Sequence, residues 1–172
     1  MKAILVILGV LVALVLVMAI VGWFLPADHV ATRTCTFAFP REVVWKVIRD
    51  VEYAANWRTD VKRVELVPDV GGKPGYREHG AHRAVLYAID EDVAPSRLVT
   101  RIADPNLPYS GAWTLELVES GGGCELTITE RGRVTNPIFR FLSNTVFSTT
   151  STMERYLDDL GAHLAKANGA PR

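Results

Sequence analysis

From Ala3 to Leu25 the chain is uninterruptedly apolar, 23 residues with neither charge nor proline, and Lys2 is the only charged side chain before it. As an α-helix rising about 1.5 Å per residue the run spans about 34 Å, against a bilayer hydrocarbon core of about 30 Å. Two fates fit this pattern. One is an uncleaved anchor over residues 1–26; the other is a signal peptide with Lys2 as its basic region and Val17-Met18-Ala19 at the cleavage site. The run continues past that site through Ile20, Val21, Trp23, Phe24 and Leu25, and Trp23 suits the interfacial belt of a span, which favours the anchor. Lys2 and the terminal amine lean towards an N-terminus in the cytoplasm and a domain outside, a single-pass membrane protein whose side is weakly encoded.

After the linker Pro26 to His29 the period changes to two. Between Val30 and Phe39, Ala31, Arg33, Cys35, Phe37 and Phe39 alternate with Thr32, Thr34, Thr36 and Ala38, which predicts a strand. Pro40 then suits a first helical turn, and Val43, Val44, Val47 and Ile48 fall on one helical face with Trp45 offset, closing near Asp50. "VEYAANW" predicts a second short helix. Six strands follow at 61–67, 75–79, 83–90, 97–103, 111–119 and 124–134, separated by Gly-, Pro- and Asp-rich turns. From Pro137 the apolar positions return to helical spacing, weaken through "SNTVFSTTST" and resume at Met153, Tyr156, Leu157, Leu160 and Leu164. Ser151 to Glu154 matches a capping box, so a restart or kink is expected near Thr152. A domain over 30–167 and a flexible tail over 168–172 complete the expected organisation.

Charge narrows the partners. Beyond the apolar run the chain carries 18 basic and 19 acidic residues, a net charge of −1, with no basic stripe for nucleic acid and no polybasic lipid patch. Cys35 and Cys124 fall on the first and last strands; free thiols are the default, and a disulfide stays open until register is known.

The order strand, two short helices, six strands and long helix, with "FPREVVWKVIRDVEYAANW" and "LTITERGRVTNPIFRF", resembles the START-like, helix-grip superfamily. Within it the likeness is to the polyketide cyclase/dehydrase and lipid-transport (SRPBCC) family, over about Val30 to Leu164. Pro40, Trp45, Asp50, Trp57, Trp113, Glu130 and the "NPIFRF" opening of the last helix carry the resemblance. It implies an α+β fold, β-α-α-β6-α, in which an antiparallel seven-stranded sheet curls around a long C-terminal helix, here preceded by one transmembrane helix. It also implies an apolar cavity between sheet and helix. The strand period shows such a face independently at Leu98 and Ile102, at Trp113, Leu115 and Leu117, and at Leu126 and Ile128, although solid core reads alike. Residues expected to line the pocket are Trp57, Tyr76, Leu98, Ile102, Trp113, Leu115, Ile128, Glu130 and Phe141. His79, His82, Leu107, Tyr109, Ile138 and Phe139 are expected at its mouth. In a meander with the first strand beside the seventh, that mouth lies at the end where the anchor enters.

Glu130 shares the parity of Leu126 and Ile128, so its carboxylate is expected to point inward and to need a partner; Arg133, Arg140 and Arg101 are the candidates. Glu78, at the parity of Tyr76, is the second weak catalytic candidate, and no catalytic position of the family maps onto this chain. His79 and His82 are spaced as metal ligands without a third or fourth nearby, so turn residues are expected and no metal. No nucleophile elbow, phosphate loop or dinucleotide fingerprint is present, so no cofactor is expected. Three functions remain open: a membrane-anchored binder of a lipid or other hydrophobic small molecule, a polyketide cyclase/dehydratase-type enzyme with Glu130 or Glu78 as acid/base, and a non-catalytic module of a membrane assembly. The protein partner of the last is unknown.

Overall fold

The uninterrupted apolar run forms one helix, α1 (Lys2–Phe24), in a computed structural model that describes residues 2–81, 83–145 and 150–169. Nearly all its side chains are exposed, and it is long and apolar enough to cross a membrane. Strand β1 (Asp28–Phe37) starts after Leu25, Pro26 and Ala27, two residues earlier than its alternation suggested, so His29 is a strand residue and not part of the linker. Then come α2 (Arg41–Arg49) and a 3₁₀ turn (Glu52–Asn56). The remaining strands are β2 (Arg63–Val70), β3 (Lys73–His79), β4 (Ala84–Val93), β5 (Arg97–Ile102), β6 (Tyr109–Ser120) and β7 (Gly123–Val134). All seven form one antiparallel sheet in the order β1-β7-β6-β5-β4-β3-β2. The return from β1 to β2 through α2 is what places the first strand beside the last.

Parity decides which side chains enter the interior. Along β7, Cys124, Leu126 and Ile128 are buried, Glu130 is half-buried in the same row, and Gly132 and Val134 complete it. On β1 the inward row is His29, Ala31, Arg33, Cys35 and Phe37. Cys35 stands opposite Leu126 and Cys124 opposite Phe37, and both are free thiols. In α2 the buried residues are Val44, Trp45 and Ile48, whereas Val43 turns outward at 42% exposure. Trp45 therefore takes the inward place that helical spacing assigned to Val43.

The long C-terminal helix is described as two segments, α3 (Pro137–Thr145) and α4 (Ser151–Gly169). Residues 146–149 and most of the expected tail, 170–172, lie outside the described residues. The Glu154 amide bonds the Thr150 carbonyl at 2.9 Å as α4 begins. Met153, Leu157, Leu160 and Leu164 of α4 join Val44, Ile48, Leu117, Leu126 and Ile128 in one buried cluster. Burying a side chain of this size is worth about 1.5–3 kcal/mol, so this cluster is the main source of the domain's stability.

One contact ties α1 to the rest. Met18, Ala19, Gly22 and Leu25 are the less exposed stripe of the helix end, and Gly22 is buried. A Cβ added at Gly22 would lie 1.9 Å from the Pro137 carbonyl oxygen and 3.3 Å from Phe141 Cβ, so α3 meets α1 backbone to backbone. The last carbonyls of a helix lack intrahelical partners. Here Arg140 supplies them, its guanidinium donating to the carbonyls of Leu25 at 3.1 Å, Gly22 at 3.4 Å and Trp23 at 3.5 Å. The same side chain donates to the carbonyls of Val134 and Thr135, both at 3.1 Å. Arg140 thus caps α1 and fastens it to the β7–α3 junction.

A cavity at the anchored end of the sheet

The strand registers place the start of β1 and the end of β7 together, Asp28 opposite Arg133, with Tyr109 of β6 opposite Val134. The end of β3, the start of β4 and the end of β5 share this edge through His79 with Ala84 and Tyr87 with Ile102. At this end a cavity of about 590 Å³ lies among the sheet, the 3₁₀ turn region, α3 and α4, within the range of about 300–1,000 Å³ that holds a drug-sized ligand. The interior is therefore core at one end and cavity at the other.

Trp57, Tyr76, Leu98, Ile102, Trp113, Leu115 and Glu130 of the expected pocket line it, and so does Glu78. Ile128 and Phe141 do not. Ile128 is fully buried in the core cluster, one rung deeper than Glu130, and Phe141 has its Cβ turned towards Gly22 of α1. Of the expected mouth, Tyr109 and Phe139 line the cavity. His79 instead sits on the outer face, 2.8 Å from Glu65 Oε2, because β3 turns Tyr76 and Glu78 inward and their neighbour outward. Leu107 and Ile138 are half-buried away from the lining, the β5–β6 loop being tied down by the Thr135 amide and hydroxyl on the Pro108 carbonyl. His82 lies outside the described residues.

Glu130 does point inward, but none of the three expected arginines meets it. Arg133 pairs with Asp28, Arg101 with Asp90, and Arg140 caps α1. Instead Trp113, directly opposite on β6, donates Nε1–H to Oε2 at 3.0 Å, and His29 places Nε2 3.3 Å from Oε1. His29 reaches it across Gly132, where a Cβ would fall 2.2 Å from the imidazole. Gly132 in turn faces Gly111, so the rung between Trp113–Glu130 and Tyr109–Val134 carries no side chain from β6 or β7.

A second polar group forms the opposite wall. Arg58, in the turn before β2, donates to both oxygens of Asp60 at 3.1 and 2.8 Å and to Glu78 at 2.7 Å, with its guanidinium 5.3 Å from the Tyr156 ring centre. All three of its nitrogens are engaged. Burial pushes the Glu78 carboxyl up, against the opposing pull of Arg58 and with a further push from Asp60. Burial also raises the hydroxyls of Tyr76, Tyr87 and Tyr156, which stay neutral at ordinary pH. Aromatic rings connect the two walls, since Tyr156 meets Trp57 edge-on at 5.0 Å and Trp113 at 5.7 Å, while Tyr76 and Tyr87 stack at 5.3 Å. Among the described residues no three His, Cys, Asp or Glu side chains group to hold a metal ion.

Three residues of this site escape a reading of the sequence. His29 sits beyond the strand boundary that the alternation suggests, and the only signal for it is that Ala31 and Cys35 share its parity. Arg58 and Asp60 lie in a loop, where no period predicts direction.

A seven-stranded antiparallel sheet wrapped on a C-terminal helix, with a lined cavity at one end, defines the helix-grip class of small-molecule-binding folds. The chain belongs to the polyketide cyclase / dehydrase and lipid transport family, whose model matches residues 28–166. No curated protein matches it in sequence. Among solved structures it is similar to a START superfamily protein from Mycobacterium smegmatis, at 14% identity and a TM-score of 0.64, covering 81% of this chain and 99% of that one. It is also similar to the Zhui aromatase/cyclase of Streptomyces sp. R1128, at 15% identity and TM-score 0.66 over 83% and 97% of the two chains. Norcoclaurine synthase from Thalictrum flavum is similar at 11% identity and TM-score 0.64, over 86% and 91%. At these identities the likeness is one of fold.

Proposed function

We propose that the protein is a single-pass membrane protein, anchored by residues 1–26 with its domain, 30–167, outside the cytoplasm, and that it binds a lipid or other hydrophobic small molecule exchanged with the bilayer. The observation that carries this reading is the position of the cavity. Its mouth adjoins α3, and α3 is fastened to the end of α1, the one helix among the described residues long and apolar enough to cross a membrane. Phe139 at the mouth is 45% exposed, and Trp23 and Phe24 at the end of α1 are 72% and 84% exposed, an apolar rim suited to the interface. A volume of about 590 Å³ suits a single acyl chain or a compact ring system better than a two-chain phospholipid.

Native mass spectrometry of the full chain extracted in mild detergent tests the reading. A copurifying apolar ligand is expected, and Val85→Trp, which puts an indole into the cavity from β4, should release it with the fold intact. Protein without ligand that also fails to take up an apolar dye would refute it.

A second reading, acid/base chemistry of the cyclase/dehydratase kind, is favoured by one observation. Glu78 is a cavity carboxyl raised by burial, with the Tyr76 and Tyr87 hydroxyls lining the same space. Loss of turnover on a poly-keto substrate in Glu78→Gln, with ligand binding retained, would support it.

A further inference from the structure

The reading above leaves open which polar group a ligand carries, and the charges of the cavity bear on that. Three carboxyl side chains, Asp60, Glu78 and Glu130, reach the lining, against two guanidinium groups. Arg58 spends three of its five N–H donors on Asp60 and Glu78, and those two carboxyls stand between it and any further negative charge. Arg83 is exposed at the rim, where it donates to the Tyr109 hydroxyl at 2.8 Å and stacks on its ring. Solvent screens that charge.

Glu130 is different. A carboxylate offers about four acceptor sites, and the structure fills two, one on each oxygen, from Trp113 and His29. The remaining lone pairs belong to a group that lines the cavity next to the rung cleared of side chains by Gly111 and Gly132. A ligand group arriving there meets a carboxylate with acceptor sites to fill. An anionic head would face Glu130 in a partly buried space, where like charges repel more than in open solvent.

We propose that the cavity selects ligands whose polar group is an uncharged or cationic hydrogen-bond donor, a hydroxyl or an amine docked on Glu130, and discriminates against ligands that end in a carboxylate. This rests on the reading that the cavity binds hydrophobic ligands, and it adds the head-group chemistry.

The test uses the full chain in a non-ionic detergent at a pH of about 8, loaded with an environment-sensitive apolar dye and challenged with dodecanol, dodecylamine or dodecanoate. Dodecanol and dodecylamine should displace the dye at concentrations at least about tenfold lower than dodecanoate, equivalent to about 1.4 kcal/mol. Glu130→Gln should narrow that gap by strengthening dodecanoate. The ranking in the unmodified protein is decisive even if the variant folds poorly. Dodecanoate competing as well as dodecanol would overturn the proposal while leaving the binding reading in place, and an Arg83→Gln variant that then lost dodecanoate would assign the head to the rim. Failure of the dye and all three competitors to bind would remove both.

Discussion

Gly22→Ala adds a single methyl group to α1, and its effect separates two pictures of this molecule. In a helix that merely tethers the domain, the change is favourable, because alanine exceeds glycine in helix propensity by about 0.8–1.0 kcal/mol. In the observed packing the new Cβ would fall 1.9 Å from the Pro137 carbonyl oxygen, so α1 and α3 must part by more than about 1 Å to reach a tolerable contact of 3.0 Å or more. Arg140 cannot follow that movement while holding Val134 and Thr135, and its bonds to Gly22, Trp23 and Leu25, already 3.1–3.5 Å, would lengthen past hydrogen-bonding distance. One nitrogen serves all three acceptors, so the loss is that of one to two bonds, about 1–3 kcal/mol. The propensity gain applies to docked and undocked helix alike and cancels. The equilibrium constant for docking should fall about 5–150-fold. Hydrogen exchange of the α3 amides in nanodiscs reads this directly, with a rise of the same order expected while the domain melts as before, since Gly22 lies outside the core cluster. Exchange in α3 within about twofold of the unmodified protein would refute the docked arrangement.

Two further outcomes follow from the Arg58 group. Arg58→Met leaves Asp60 and Glu78, 24% and 13% exposed, facing one another without a cation, and should cost about 3–5 kcal/mol in urea unfolding; a loss below about 1 kcal/mol would show that the pair is already neutralised. Glu78 also gives a pH signature. Its folded pKa is raised, so between the unfolded value of about 4.3 and the folded one the native state holds the extra proton, and stability falls as pH rises through that window before levelling off. Glu154, held down by hydrogen bonds from Arg33 and Thr150, and Glu65, held down by His79 and Arg63, act in the opposite sense and lose stability as pH falls. Glu78→Gln should therefore gain on the unmodified protein as pH rises from about 4.3 in a series of urea titrations, and parallel curves would refute the assignment.

Strand parity carried the reading of this fold a long way, for a simple reason. A period of two fixes direction without knowledge of neighbours, so Glu130, Trp113, Leu98 and Ile102 were legible as one inward surface from the chain alone. Partners were not, since they depend on register. Arg133, Arg140 and Arg101 are near Glu130 in sequence or strand count, yet Arg133 and Arg101 point out of the sheet, and the group that reaches Oε1 comes from the opposite end of the chain. Helical positions were legible only as far as their neighbours were known. Phe141 fits an apolar face, but the face it completes belongs to α1, and nothing in the local pattern says that α3 divides its side chains between a cavity and another helix.

The Arg140 cap has a consequence for membranes of different thickness. If α1 spans as proposed, its length of about 34 Å exceeds a hydrocarbon core of about 30 Å, and such a helix accommodates the mismatch by tilting. A hinge at Pro26 would absorb that tilt and leave the domain indifferent to it. With α1 clamped at Gly22 and Arg140, the tilt passes to α3 and so to the cavity rim. A thinner bilayer would then lean the opening over and a thicker one would set it upright, making hydrophobic thickness itself a variable that governs access to the cavity.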